Sequence, residues 1–141
     1  MKRIALIIAV LAAALMPCQA QQLNPHEKEF REFYTTFLTA VRANDKDKLA
    51  GLIAFPVQDW SVEKKGNVNT ISIKDKTEFL AGYNSFITAS MRSHVPRAKL
   101  ATLKDGRYAL IWQDADAEFS FEFDYKDGSG YRVTSFSIGP L

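Results

Sequence analysis

The stretch AEFSFEFDY, residues 117–125, constrains the fold most, because aromatic and polar side chains alternate along it. Successive side chains of a β-strand point to opposite faces of a sheet, so this alternation predicts a strand with one buried and one solvated face. Phe119, Phe121, Phe123 and Tyr125 are the buried set. The chain is therefore expected to build a sheet that something covers on one side.

Further strands are predicted around this one. RAKLATL, RYALIWQ and GYRVTSFSI are set apart by KDG, DAD and KDGSG, which are typical of turns between antiparallel strands. Two earlier extended segments, VQDWSV and VNTISI, flank the turn-forming KKGN. The sequence thus predicts six strands.

Two helical segments precede the strands. In NPHEKEFREFYTTFLTAVRAN, apolar residues recur at spacings of three and four, Asn24 is the expected N-cap and Pro25 the first helical residue. DKDKLAGLI follows as a short second helix, capped by Asn44 or Asp45. Phe55-Pro56 is expected to end it, because proline has no backbone N–H to donate.

A third helix is predicted between the two groups of strands. DKTE has the spacing of a capping box at Asp75 and Glu78, and an apolar stripe continues as far as Met91 before Pro96 closes the region. The predicted order is α-α-β-β-α-β-β-β-β. This order indicates an α+β domain with three helices packed on a mainly antiparallel sheet.

Three segments carry a resemblance to a known superfamily: FLTAVRANDKDKLAGLI, KTEFLAGYNSFI and AEFSFEFDY. In their order and spacing they resemble the nuclear transport factor 2-like (NTF2-like) superfamily, which has a cystatin-like cone fold and includes ketosteroid isomerases, scytalone dehydratases and polyketide cyclases. The resemblance covers Glu27 to Ile138. It implies a strongly curved sheet around the long helix, an apolar pocket at the open end and frequent dimers through the outer sheet face. Enzymes and non-catalytic modules share this fold, so the resemblance leaves function open.

The resemblance implies two catalytic positions, a hydrogen-bonding tyrosine and a carboxylate base. The isomerases place a hydrogen-bonding tyrosine eight residues before the aspartate that opens the second helix, and counting back from Asp45 gives Phe37, which cannot donate. Tyr34 lies one turn earlier on the same stripe and is a candidate for this role at another depth of the pocket, although a core tyrosine with a satisfied hydroxyl is the favoured alternative. The general base of such enzymes is a carboxylate on the first strand, for which Asp59 is the nearest match.

Asp59 and Trp60 must face opposite sides of their strand. Burial of an unpaired carboxylate is costly, so we expect Asp59 in water and Trp60 turned inward. Together with Tyr83 and Trp112, Trp60 is then a predicted ligand-binding residue, since each of the three joins an apolar body to one polar atom. The alternative is that these aromatics are ordinary core residues.

The segment YALIW at 108–112 is apolar at every position, so both faces of its strand are expected to be covered. A homodimer through the outer sheet face is the simplest cover. Metal and cofactor sites are not predicted: the two histidines are scattered, the single cysteine is Cys18, and no phosphate-binding glycine loop occurs.

The first 20 residues predict an export signal. Lys2 and Arg3 precede thirteen apolar residues, 4–16, which are too few to cross a bilayer as a helix, and Ala20 supplies a small residue for cleavage. Proline precedes Cys18, where a lipoprotein signal would have a small residue, so we expect cleavage after Ala20 and no stable membrane anchor. Residues 21–141 then form a single domain in the periplasm or the medium.

The net charge of residues 21–141 limits the classes of partner that the domain is expected to bind. Lys2 and Arg3 account for the whole excess of +2, so residues 21–141 are electrically balanced. A balanced domain is not expected to bind nucleic acid. The leading prediction is an exported, non-catalytic module that binds a small apolar or amphipathic ligand. A cofactor-independent isomerase, dehydratase or cyclase is the second prediction, and a protein-binding accessory domain is the third.

Overall fold

The aromatic strand predicted from AEFSFEFDY lies inside a six-stranded sheet, with Phe119, Phe121 and Phe123 buried. A computed structural model describes residues 24–62, 68–113 and 118–139. The predicted signal segment and cleavage point, Cys18 included, lie outside the described residues. The helices are α1 Glu27–Arg42, α2 Lys46–Ala50, α3 Lys76–Ala81, α4 Tyr83–Phe86, α5 Ala89–His94 and the 3₁₀ turn Val95–Arg97. The strands are β1 Ile53–Val62, β2 Val68–Ile73, β3 Lys99–Thr102, β4 Tyr108–Gln113, β5 Glu118–Lys126 and β6 Gly130–Gly139.

The sheet has the strand order β2-β1-β6-β5-β4-β3, and every neighbouring pair is antiparallel except β1–β6, which is parallel. The parallel pair joins strands from opposite ends of the domain, and helices α3 to α5 and the four strands β2 to β5 lie between them in the chain. The predicted α+β class and the mainly antiparallel sheet are confirmed.

Helix α1 covers one face of the sheet with the apolar stripe expected from its sequence. Phe33 and Phe37 pack edge-on against Phe123, at ring-centroid distances of 5.5 and 5.0 Å. The start of the helix differs from the prediction, because His26, and not Asn24, is the N-cap residue. The side-chain oxygen of Asn24 accepts the His26 N–H at 3.0 Å, which holds residues 24–26 in a turn ahead of the helix.

Helix α2 begins as predicted, with the Asp45 carboxylate accepting the Lys48 N–H at 3.0 Å. Its predicted end was wrong, because the helix stops at Ala50 and Phe55-Pro56 lies within β1. A proline is tolerated there because the β1–β6 register shifts between Ile53 and Gln58, so no regular ladder bond is lost.

The single third helix of the sequence prediction is divided into α3, α4 and α5. At the first break, the ring of Phe86 lies against Gly82, where a Cβ atom would overlap it. At the second, the side chain of Thr88 accepts the Met91 N–H at 3.2 Å and starts α5 afresh. The predicted capping residue is correct, since Asp75 accepts the Glu78 N–H at 2.9 Å. Glu78, however, accepts the N–H of Lys74 instead of returning to Asp75.

Candidate functional site

One row of side chains crosses the whole sheet on the face that the helices cover, here called the inner face. Strand pairing aligns one residue from each of the six strands in this central row. In sheet order its members are Ile71, Asp59, Phe136, Phe121, Leu110 and Leu100. Asp59 is the one polar residue in a row that is otherwise hydrocarbon, so it is the natural focus of a site.

The Asp59 carboxyl group is buried, and one of its oxygens lacks a partner. The residue is only 6% exposed, and its Oδ1 atom accepts no hydrogen bond from any of the described residues. None of the ion pairs among the described residues involves it. A buried polar atom normally has a partner, so an orphaned carboxylate oxygen is a feature that requires an explanation.

The expected orientation of this strand was wrong: Asp59 points inward, and Trp60 lies on the outer face with 43% of its surface exposed. The reason is the pairing of β1. Val57 is fully buried opposite Ile73, and side chains two residues apart share a face, so Asp59 is carried to the core side with Val57. Packing of Val57 and Ile73 outweighs the cost of burying one carboxyl group.

Burial alone raises the pKa of Asp59 from 3.8 to about 6. Desolvation disfavours the charged carboxylate, and within the part of the chain that the structure describes no cation offsets it. The group is therefore ionised at neutral pH but takes up a proton in mildly acidic solution. A carboxyl group with a pKa in this range can accept a hydrogen bond, pair with a cation or exchange a proton with a bound molecule.

Aromatic rings pack beside the carboxyl group. Phe136 is the cross-strand partner of Asp59 on β6 and is buried. Its ring lies 6.2 Å from that of Phe86 and 6.5 Å from that of Phe79, and these two rings are themselves 6.2 Å apart. The helical segment α3–α4 thus brings two phenylalanines over the strand position next to Asp59.

The opposite neighbour of Asp59 opens the site towards solvent. Ile71 on the edge strand β2 is 48% exposed, although the central row places it on the inner face. Half-buried Phe86 and Ile138 lie on the same side of the sheet. Partly exposed apolar side chains therefore lie on the side of the sheet where Asp59 is buried, from the β2 edge inwards. Sequence reasoning missed Ile71, whose alternation with Ile73 in VNTISI was the available signal.

Trp60, Tyr83 and Trp112, the predicted ligand-binding residues, do not converge on one pocket. Tyr83 is buried, and its hydroxyl donates to Asn44 at 3.0 Å beside a polar groove of about 300 Å³. Trp112 is on the inner face opposite Phe119, and its ring stacks on that of His94 at 4.5 Å. Trp60 lies on the other face of the sheet.

Tyr34, the other catalytic candidate, lies in the aromatic core beside α1. Its ring stacks on Phe30 at 5.6 Å and meets Phe123 edge-on at 6.1 Å. Burial raises the pKa of its hydroxyl, and the nearby Arg42 partly offsets this. Phe37, at the position that matches the isomerase tyrosine, is fully buried.

Cavities also lie away from the central row, and two of them are larger than the groove beside Tyr83. One of about 480 Å³ lies beside the start of α1, where Asn24 donates to the hydroxyl groups of Tyr131 at 2.7 Å and Tyr108 at 3.3 Å. The other, of about 460 Å³, follows edge strand β3 and is lined by Lys99, Ile111 and Trp112 among others. Within the described ranges, no group of three or more His, Cys, Asp or Glu residues could hold a metal ion. No helix in these ranges is long and apolar enough to cross a membrane.

Comparisons with solved structures concern the fold. An NTF2-like protein from Cytophaga hutchinsonii shares 14% identity, with 84% of this chain and 100% of that chain covered and a TM-score of 0.45. An NTF2-like protein of unknown function from Shewanella baltica shares 10% identity, with 81% of this chain and 94% of that chain covered and a TM-score of 0.48. A domain of unknown function with a cystatin-like fold from Nostoc punctiforme has 10% identity, 84% and 79% coverage and a TM-score of 0.42. No protein-family model matches the sequence, and no curated protein sequence does.

The chain has an α+β fold, with helices packed on a six-stranded mixed sheet. The superfamily resemblance drawn from the sequence stays a prediction. Identity this low carries no activity from those proteins to this one, so function must be argued from the site itself.

Proposed function

We propose that this protein is an exported module that binds a small, mainly apolar molecule on the inner face of its sheet, with Asp59 as the polar contact. The single observation that carries the proposal is the orphaned, buried carboxylate oxygen of Asp59. A ligand group that donates to this oxygen would satisfy it, and the surrounding hydrocarbon would bind the apolar remainder.

The exposed edge of the central row supports this choice. Ile71 stays 48% exposed next to the buried carboxyl group, so an apolar ligand entering from β2 would cover surface that is now in water. Phe86, half-buried over Phe136, would form the helix side of the same site.

Binding can be tested with the neutral fluorophore N-phenylnaphthylamine in a Trp60→Phe background, where Trp112 is the single remaining tryptophan. We expect the probe to bind and to change Trp112 emission. Ile71→Asp should weaken binding, because it places a charge at the entrance. Leu100→Asp is the matched control, since Leu100 is the exposed residue at the other end of the central row. Equal affinities for the two variants, or no binding at all, would contradict the proposal.

A second function is favoured by the same carboxyl group: an isomerase, dehydratase or cyclase that needs no cofactor, with Asp59 as general base. A carboxylate with a pKa near 6 in apolar surroundings suits abstraction of a proton beside a carbonyl group. Under this alternative Asp59→Asn should reduce the turnover rate by about 10²–10⁴ while binding is largely retained. The fully buried Phe37 at the position of the isomerase tyrosine argues for binding as the leading function.

A further inference from the structure

The Asp59 site holds a negative charge that the described protein does not neutralise. No ion pair of the described residues reaches the carboxylate. Its partners across the two adjacent strands, Ile71 and Phe136, are hydrocarbon. Buried charges in proteins are normally paired, so a stable occupant of this site would supply the missing positive charge.

The rings beside the carboxylate suit a cation. Phe136 is the cross-strand neighbour of Asp59, and the partly exposed ring of Phe86 lies 6.2 Å from the Phe136 ring. Aromatic faces attract ammonium groups. A neutral hydroxyl would satisfy the orphaned Oδ1 atom but would leave the charge uncompensated. An ammonium group would donate a charge-assisted hydrogen bond to the Oδ1 atom and would also compensate the negative charge of the carboxylate.

An anionic ligand is disfavoured by the same observations. It would place like charges together in a region of hydrocarbon side chains, where their repulsion is poorly screened. A metal ion would need several oxygen or nitrogen ligands, and the described residues offer no such group around Asp59.

We infer that the ligand of this site is an apolar organic cation, an amine whose ammonium group pairs with Asp59 while its hydrocarbon body packs on the partly exposed side chains of Ile71 and Phe86. This inference rests on the proposed function and specifies the chemistry of the ligand. It assigns Asp59 to recognition of charge and the aromatic cluster to recognition of the apolar body.

The test compares probes that differ in one polar group. Adamantylmethylamine, adamantylmethanol and adamantanecarboxylate, with the smaller cyclohexyl series alongside, are titrated calorimetrically into the protein at neutral pH. We expect the amine to bind about tenfold tighter than the alcohol, since a hydrogen bond to a charged partner exceeds a neutral one by roughly that factor. The carboxylate should bind weakest.

Asp59→Asn keeps the shape of the side chain and removes its charge. It should abolish the preference for the amine, leaving amine and alcohol with similar affinities. Asp127→Asn is the matched control, because Asp127 is an exposed carboxylate in the β5–β6 turn and its loss changes net charge equally. An amine preference that survives Asp59→Asn, or that Asp127→Asn also removes, would overturn the inference.

The outcomes distinguish failure of the cationic ligand from failure of the proposed function. Equal binding of amine and alcohol to the unaltered protein would overturn the cationic ligand and leave the apolar binding function standing. Failure of both probe series to bind would overturn the proposed function, and the cationic ligand with it.

Discussion

Asp59 lies directly opposite Phe136 in the parallel β1–β6 ladder, so a carboxyl group and an aromatic ring share one buried position of the sheet. Strands from opposite ends of the chain make this contact. The site consequently depends on the long-range pairing of β1 with β6, and local sequence around either residue does not reveal it.

Because the pKa of Asp59 is raised, we expect the free energy of unfolding to fall as the pH rises through the mildly acidic range. The folded state holds the proton more tightly than the unfolded state, so unfolding releases it between about pH 4 and about pH 6, and the free energy of unfolding decreases over that range. At about 1.4 kcal/mol per pKa unit, the loss is about 3 kcal/mol. Urea unfolding across this range should show it in the unaltered protein and in Asp127→Asn. Asp59→Asn should remove this component, and parallel profiles for all three proteins would contradict the assignment.

Gly82→Ala should destabilise the fold through Phe86. The added Cβ would overlap the Phe86 ring, which packs on Phe79 and Phe136, so the ring must shift and the free energy of unfolding should fall by about 1–3 kcal/mol. A double-mutant cycle with Phe86→Ala provides the control. Once the ring is absent, Gly82→Ala should cost much less, and strict additivity would show that the overlap is not the cause.

Asn24→Ala should cost about 1–3 kcal/mol in the free energy of unfolding, because it leaves the buried Tyr131 and Tyr108 hydroxyl groups without this donor and frees the turn at His26. Thermal or urea unfolding measures the change. Asn84→Ala, at an exposed position of α4, should have little effect. Similar losses for both substitutions would contradict the importance of the Asn24 contacts.

The homodimer predicted from YALIW remains to be tested by light scattering at micromolar concentration. We expect a dimer that buries about 1,200–2,000 Å² through the outer sheet face, which carries exposed Ile111 and Trp60. Ile111→Asp should dissociate it. Leu100→Asp is a closely matched control, because both residues are 37% exposed on neighbouring strands and face opposite sides of the sheet. A monomer in the unaltered protein would refute the prediction.

The predicted export signal determines the residue at which the recovered protein should begin and whether it should carry lipid. Intact mass spectrometry of material from the periplasm or medium should correspond to a chain that begins at Gln21, because cleavage after Ala20 removes the apolar segment and Cys18. A mass that includes lipid on Cys18, or that retains residues 1–20, would contradict this prediction.

Local sequence determined most of the elements of this protein. Alternation in AEFSFEFDY, apolar spacing in α1 and the side-chain caps at Asp45 and Asp75 each act within a few residues, so the α+β order followed from sequence and is confirmed. The breaks at Gly82 and Thr88 were missed, because the apolar stripe continues through them and the packing of Phe86 against Gly82 is a tertiary contact.

The site was decided by tertiary structure. VQDWSV alternates in a way that allows either Asp59 or Trp60 to face inward, and local energetics favour a solvated carboxylate. In the assembled sheet, Val57 pairs with Ile73 and Asp59 pairs with Phe136, and Asp59 faces inward. Val57 and Asp59 must share one face of the strand, and the buried apolar contacts of that face outweigh one desolvated carboxyl group. Sequence therefore determined that Asp59 stands on the first strand, and only the assembled sheet determined that it is buried.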